Sequence, residues 1–408
     1  MKLVVIHDFA DSSMGAGATR CAIDTATGFA RRGVDVTFFA AAGEPDRELL
    51  EAGVRTVTMG QNDIRRNNRR SAAFTQGLWN SPAAKQLQTI VDESDLSSTV
   101  FHVHTWSKAL SPSVLPPLMR PRVNTVFHLH EYFSACPNGG FFDYPKLSIC
   151  ERTPMGPACL LANCDSRSRA HKVWRLARHE VMRRGAGYPA GGRDFIVLSE
   201  LQRRVLAPFL PPHAAIHLMR NPIDMVQWPR QARSPDAKYL YVGRISREKG
   251  IEPLARAFAD RQEDLVVVGD GPDAGWLREM LPRAEFRGWQ TSTQAKEAMR
   301  EARALLFPSL WYEGMPMVVL EALASGAPVL TSDSSSASEV VDHGKTGLIF
   351  RSNDPGALTE ALAVLDDDAR VEALSAEAYR RYWDQPFSQE RFVTEMTTVF
   401  EQVLRAAA

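Results

Sequence analysis

Long apolar runs are missing from this chain, and so is any excess of charge of one sign. No stretch approaches the roughly 18 uninterrupted apolar residues that a membrane-spanning helix needs. The opening MKLVVIHDFA is apolar for only four residues before His7 and Asp8, too few for the core of a secretory leader. These two absences set the expectation of a cytoplasmic protein. Lysine and arginine together number 48, as do aspartate and glutamate, so the formal net charge is zero. A neutral chain offers no overall electrostatic attraction to nucleic acid, and no such partner is expected. Cysteine is scarce as well, at five in 408 residues, which argues against a disulfide framework in a reducing compartment. The one dense acidic run, Asp366-Asp367-Asp368, reads as a solvated helix cap, so no acidic cluster suggests a catalytic divalent cation.

A length of 408 residues exceeds one ordinary domain. Short apolar runs alternate with helical segments throughout. KLVVIHDF, VDVTFFAA, VRTVTM, TVFHVHTW, RVNTVFHLHEYF, RDFIVLSE and AIHLMRNP occupy the first half. KYLYVGRI, DLVVVGDG, AEFRGW, RALLFPS, APVLTSD and TGLIF occupy the second. Strands in regular alternation with helices argue for an α/β protein with doubly wound parallel sheets. The rhythm breaks near Pro211-Pro212 or Asn221-Pro222. Two Rossmann-like domains facing a cleft are therefore expected, over residues 1–215 and 216–388. A last helix over residues 389–408, apolar at Phe392, Met396, Val399 and Phe400, is expected to cross back to the first domain.

In such sheets ligands collect at the carboxyl ends of the strands, so the loops there carry the chemistry. The loop after the first strand holds Gly15 and Gly17, which suit either a permissive turn or close approach of a ligand to the backbone. YVGRISREKG places Arg244 and Lys249 after a strand, and two cations there suit a pyrophosphate. Lysine is uncommon in this chain, with nine in all, which makes Lys249 less ordinary. Gly269 allows a sharp turn in VVVGDGP, and Trp289 with Gln290 offers a turn against which a nucleobase could rest. A core position for Trp289 fits the sequence equally well.

The segment WYEGMPMVVLEALASGAPVL carries two glutamates eight positions apart. Gly314 and Pro316 allow a tight turn, with Pro316 suited to the first helical position. The N–H groups of Met317 and Val318 would then face an anion. Glu313 lies just outside that end, and Glu321 about 7 Å further along, at about 1.5 Å per residue. A carboxylate in an apolar helix needs a partner, and a ribose diol is a suitable one.

Taken together these residues resemble the retaining, nucleotide-sugar-dependent glycosyltransferases of family 4, which have the GT-B fold. The motifs VGR…EKG, VVGDGP, FRGW and PSLWYEGMPMVVLEALASGAPVLTSDSSSASEVVDHGKTGLIF follow the family's order, and the E-x7-E spacing is part of its signature. The resemblance implies that Arg244 and Lys249 hold the donor diphosphate, that Glu313 meets hydroxyls of the transferred sugar, and that Glu321 binds the ribose. It also implies that Gly314, Met315, Pro316 and Met317 line the sugar–phosphate junction and that Trp289-Gln290 meets the base. FHLHEYF is similar to the family's H-D-[YF] strand end, which makes His130 the match to its active-site histidine. Glu131 departs from the usual Asp there, and Ala16 with Ala18 dilutes the Gly-rich first loop. The family needs no metal for its chemistry.

An insert over residues 136–184 follows this strand end. Its four cysteines, Cys136, Cys150, Cys159 and Cys164, suit a structural zinc, although they lack tight C-x2-C knuckles; packing of a loop-rich lid is the other reading. Its tail carries Arg167, Arg169, Lys172, Arg175, Arg178, Arg183 and Arg184, with Val173, Trp174, Ala177 and Val181 as an apolar stripe. A basic amphipathic helix of this kind suits either a peripheral membrane contact or a solvated face. Arg65-Arg66 and Arg69-Arg70 form a second basic patch that would suit a lipid-linked acceptor. The expected activity is transfer of a sugar from a UDP- or GDP-sugar to a glycan or lipid-linked acceptor in bacterial surface-polysaccharide assembly. A GT-B nucleotide-sugar epimerase and a catalytically silent nucleotide-sugar-binding subunit are the alternatives.

Overall fold

All thirteen of the apolar runs become strands, because a parallel strand covered on both faces is a continuous apolar segment. The computed structural model describes residues 1–15 and 17–407, the last by its backbone only. Ala16 of the first loop therefore lies outside the described residues. The chain divides into two compact units. The first comprises Met1–Phe141, Glu151–Pro222 and the chain from Gln389 on; the second comprises Phe142–Cys150 and Ile223–Ser388.

The first unit holds a seven-stranded sheet. Its strands are β1 (Lys2–Phe9), β2 (Asp35–Ala42), β3 (Arg55–Thr58), β4 (Thr99–Val103), β5 (Asn124–His128), β8 (Asp194–Val197) and β9 (Ala215–Leu218). Their order is β3-β2-β1-β4-β5-β8-β9, parallel throughout. The order reverses direction between β1 and β4, which makes the carboxyl ends of those strands a natural ligand position. The long helix Gln389–Ala407 packs on this sheet, burying Phe392, Val393, Met396, Val399, Phe400 and Val403 in a core with Val5, Phe29, Phe38 and Val126.

In the second unit, β10 (Tyr239–Val242), β11 (Leu265–Val268), β12 (Glu285–Gly288), β13 (Leu305–Phe307), β14 (Val329–Ser332) and β15 (Gly347–Phe350) form a parallel sheet in the order β12-β11-β10-β13-β14-β15. Its switch point lies between β10 and β13. Two further strands, β6 (Phe142–Asp143) and β7 (Ser148–Ile149), make a small antiparallel hairpin in the insert. They escaped the sequence analysis because two-residue strands carry no periodic signal.

Candidate functional site

The loops at the carboxyl ends of β10, β11 and β12 in the second unit are stacked on one another through glycine. Gly269 has φ +133°, and a Cβ there would stand 1.9 Å from the carbonyl oxygen of Gly243. The Gly269 amide donates to the Gly288 carbonyl at 2.7 Å, and Gly243 donates to Val268 at 3.0 Å. This fixes the backbone beneath Arg244, whose exposed guanidinium has no partner among the described residues. Trp289, at 78% exposed, is a surface residue rather than a core one. Beside it, the Gln290 Oε1 is buried with no hydrogen-bond partner among the described residues.

After Arg244 a short turn, Arg247–Lys249, ends at Gly250 with φ +77°. A Cβ on Gly250 would fall 1.8 Å from the Pro308 carbonyl, so only glycine lets this turn meet the loop after β13. That approach brings Lys249 Nζ to 2.6 Å from Glu313 Oε1. The same oxygen accepts from Ser309 Oγ and from Trp311 Nε1, each at 2.7 Å. The ammonium also lies 5.0 Å from the Trp311 ring centroid, over its face. Sequence analysis gave Lys249 and Glu313 separate tasks; the structure pairs them.

The helix after this loop spans Met317–Ala324. Pro316 precedes it as the cap, with φ −77° and ψ 108°, instead of forming its first turn, and supplies no capping side chain. Gly314 is partly exposed, Met315 and Pro316 are buried, and Met317 opens the helix. Glu321 is held in the second turn, and its carboxylate has no hydrogen-bond partner among the described residues. Burial pushes this carboxyl above its usual range; the Lys296 ammonium opposes the shift and Asp224 adds to it.

In the first unit, the carboxyl ends of β1, β4 and β5 gather five histidines. His104 Nδ1 lies 2.9 Å from His130 Nε2, and His104 Nε2 lies 3.2 Å from His102 Nδ1. His128 and His130 point to the same side, their rings stacked at 4.3 Å. His7 is held between Thr19 and Thr105, at 2.9 Å from each hydroxyl. Burial pushes every one of these imidazoles below its ordinary value, His102 and His130 to about 3. Glu131 forms an ion pair with Lys108 at 3.1 Å. Burial is the largest single influence and would raise that carboxyl, but the Lys108 charge and hydrogen bond, with the His130 and Arg178 charges, together hold it below the usual range. Gly15 and Gly17 lie in this unit, at the start of the helix Gly17–Arg31. A Cβ on Gly15 would meet Thr19 Oγ1 at 1.7 Å, which ties Gly15 to the histidine region. His7, His102 and His104 were not singled out from sequence. The signal was present, since F-H-V-H and F-H-L-H end two successive strands with the same alternation.

The insert is arranged differently from the sequence expectation. Cys136, Cys159 and Cys164 are buried in the first unit, whereas Cys150 belongs to the segment grouped with the second. The buried Lys172 ammonium donates to Cys164 Sγ at 3.2 Å and to Cys159 Sγ at 3.5 Å. The basic helix Arg169–Glu180 buries Lys172 and Arg178 and half-buries Arg175, while Arg169 is exposed. Arg175 pairs with Asp165 at 2.7 Å, and Arg178 donates to the Ser107 carbonyl at 2.8 Å between the faces of Phe133 and Trp174. Val173 and Ala177, expected on an apolar stripe, are exposed. Acceptors and aromatic faces in the interior outcompete the apolar residues for this helix's inner side. No helix among the described residues is long and apolar enough to cross a membrane.

Comparison with known proteins agrees with this arrangement. Residues 15–227 match the family model described as Glycosyltransferase Family 4, and residues 236–368 match that described as Glycosyl transferases group 1. Glycogen synthase of Mycobacterium tuberculosis is 27% identical over 295 residues, covering 67% of this chain and 68% of the relative. A GDP-mannose-dependent alpha-mannosyltransferase of the same organism is 32% identical over 160 residues, or 38% of this chain and 41% of that one. Among solved structures, sucrose-phosphate synthase from Thermosynechococcus elongatus superposes with a TM-score of 0.71 at 19% identity, covering 99% of both chains. Anabaena HepE in complex with UDP and glucose gives 0.64 at 16% identity, covering 98% of this chain and 100% of that one. The fold is GT-B, and the chain belongs to glycosyltransferase family 4.

Proposed function

We propose that this glycosyltransferase moves a sugar from a nucleoside diphosphate sugar to a glycan or lipid-linked acceptor, with retention at the anomeric carbon, in bacterial surface-polysaccharide assembly. The observation that carries the donor assignment is the second unit's set of strand-end groups. Arg244, without a partner among the described residues, and the Lys249–Glu313 pair stand at the ends of β10 and β13, with Glu321, which has no hydrogen-bond partner among them, in the helix that follows. Arg244 and Lys249 would neutralise the diphosphate as it leaves, Glu313 would accept from sugar hydroxyls, and Glu321 would accept from the ribose diol. The backbone at Gly314, Met315, Pro316 and Met317 would line the junction, and Gly269, Trp289 and Gln290 would receive the base. Nucleotide-sugar use is supported by relatives named as GDP-mannose-dependent and by a fold neighbour crystallised with UDP. In the first unit, His130 would contact the transferred sugar, near Gly15 and Gly17.

A panel of UDP- and GDP-sugars tests this, first by thermal shift. A ligand at a hundredfold excess over Kd stabilises the folded state by about 2.7 kcal/mol. The stabilising donor is then turned over with acceptors, and proton NMR of the early product reads its anomeric configuration. An inverted product would refute retention. Donor consumption without any acceptor would favour an epimerase or hydrolase instead.

A further inference from the structure

The helix Arg169–Glu180 is turned inside out. Lys172 and Arg178 are buried, while Ala170, Val173 and Ala177 are exposed. Positions 170, 173 and 177 share one face of a helix, so an apolar stripe does exist and it faces solvent. We propose that this face and its surroundings dock on the surface of a bilayer that contains anionic phospholipid.

The neighbouring helix Arg70–Leu78 extends the face. A Cβ on Gly77 would stand 2.5 Å from the Trp174 ring, so glycine lets the two helices approach this closely. The Trp174 and Phe74 rings are 6.4 Å apart. Phe74 is 50% exposed, Val173 59% and Trp79 41%. Trp79 lies against Gly185, where a Cβ would stand 3.8 Å from its ring. Large apolar side chains grouped on a surface, rather than scattered over it, mark an interaction site.

The charges around these side chains select the partner. Arg65, Arg66, Arg69 and Arg70 are exposed just ahead of Phe74, and Arg183 and Arg184 are exposed next to Gly185. Between Ile64 and Val91 the chain has no acidic residue. Asp63, which Arg65 and Arg66 approach at 3.8 and 3.9 Å, is buried, and Arg184 pairs with Glu180 at 2.5 Å. In a chain of zero formal net charge this is a local concentration of cations. A second copy meeting the same face across a two-fold axis would set arginine against arginine. Lipid phosphates meet the guanidinium groups instead, while the aromatic and aliphatic side chains enter the boundary beneath the headgroups. The inference concerns the bilayer alone and needs neither the donor assignment nor turnover.

The test is co-sedimentation of the full chain with vesicles of phosphatidylcholine, alone or mixed with phosphatidylglycerol, at low and high salt. Binding to the mixed vesicles is expected, with loss at high salt and little binding to phosphatidylcholine alone. Each basic residue at an anionic surface is worth about fivefold in partitioning, so Arg69→Glu/Arg70→Glu should bind about 20-fold or more weakly. Val173→Asp should bind about tenfold or more weakly, through loss of a buried aliphatic side chain. Val226→Asp, at an equally exposed valine of the second unit, should bind as wild type does. If Val173→Asp fails to fold by circular dichroism, the lipid and salt dependence of the wild type and the paired arginine variant still decide. No sedimentation with the mixed vesicles, equal binding to phosphatidylcholine alone, or folded variants that bind as wild type does would each overturn the proposal. Light scattering that shows a dimer dissolved by Val173→Asp would also overturn it, and would give the face to a second copy.

Discussion

Lys249 Nζ stands 2.6 Å from Glu313 Oε1, and that single carboxylate oxygen also accepts from Ser309 and Trp311. The ammonium that would meet a diphosphate is therefore shared with the carboxylate that would meet the sugar. In Glu313→Gln the amide oxygen keeps the Ser309 and Trp311 bonds, while the competing negative charge is gone. The free nucleoside diphosphate should bind the variant at least as tightly as wild type. Turnover should fall by about 10- to 100-fold, the rate equivalent of a charge-assisted hydrogen bond worth about 1.5–3 kcal/mol. Calorimetry and initial rates read the two effects separately, and weakened nucleotide binding would contradict the shared-ammonium account.

Glu321 should behave as a group whose ionised form is disfavoured by folding. Burial raises its carboxyl, so the folded chain holds that proton more firmly than the unfolded chain does. Stability is consequently lost as pH rises from the ordinary carboxylate range through the raised value. Glu321→Gln should be more stable than wild type at neutral pH, with the difference closing below the ordinary carboxylate range. The same variant should bind nucleoside diphosphate about tenfold or more weakly, through loss of a charged acceptor for the ribose. Urea titrations across pH, paired with calorimetry, check both. Equal stability at neutral pH together with unchanged affinity would dismiss the assignment.

Two glycines hold the loops of this region together by close approach. Gly250→Ala would place a methyl group 1.8 Å from the Pro308 carbonyl at φ +77°, and Gly269→Ala one 1.9 Å from the Gly243 carbonyl at φ +133°. Backbone faces backbone in both, so no rotamer change relieves the clash. Each should cost about 2–4 kcal/mol of stability. By contrast, Gly275→Ala, in the helix Ala274–Met280 with open space around it, should be neutral or stabilising. Denaturant midpoints of the three variants rank them, and a Gly250→Ala protein as stable as wild type would contradict the packing.

Much of the fold was legible because doubly wound sheets write themselves as apolar runs between helices. All thirteen strands of the two sheets have such a run. The β6–β7 hairpin had none, being two residues a side. The helix Arg169–Glu180 misled for a physical reason: periodicity finds apolar faces, but here Lys172, Arg175 and Arg178 face inward to sulfur, carboxylate and carbonyl partners. The site was legible as residues and not as relationships. Lys249 and Glu313 are 64 positions apart, and nothing local to either reports the pair. The joined histidines of β4 and β5 needed the register that sets those strands side by side.

The central claim is that Lys249 stabilises charge developing on a departing diphosphate. The most direct measurement is kcat of Lys249→Ala with a donor and acceptor that wild type turns over. Glu313 keeps its Ser309 and Trp311 donors in that variant, so the loop should hold and the melting temperature should move little. Removal of one preorganised donor to a developing oxyanion commonly lowers kcat by about 100- to 1000-fold, and a loss of that size is expected here. A variant that folds and turns over at the wild-type rate would contradict the account.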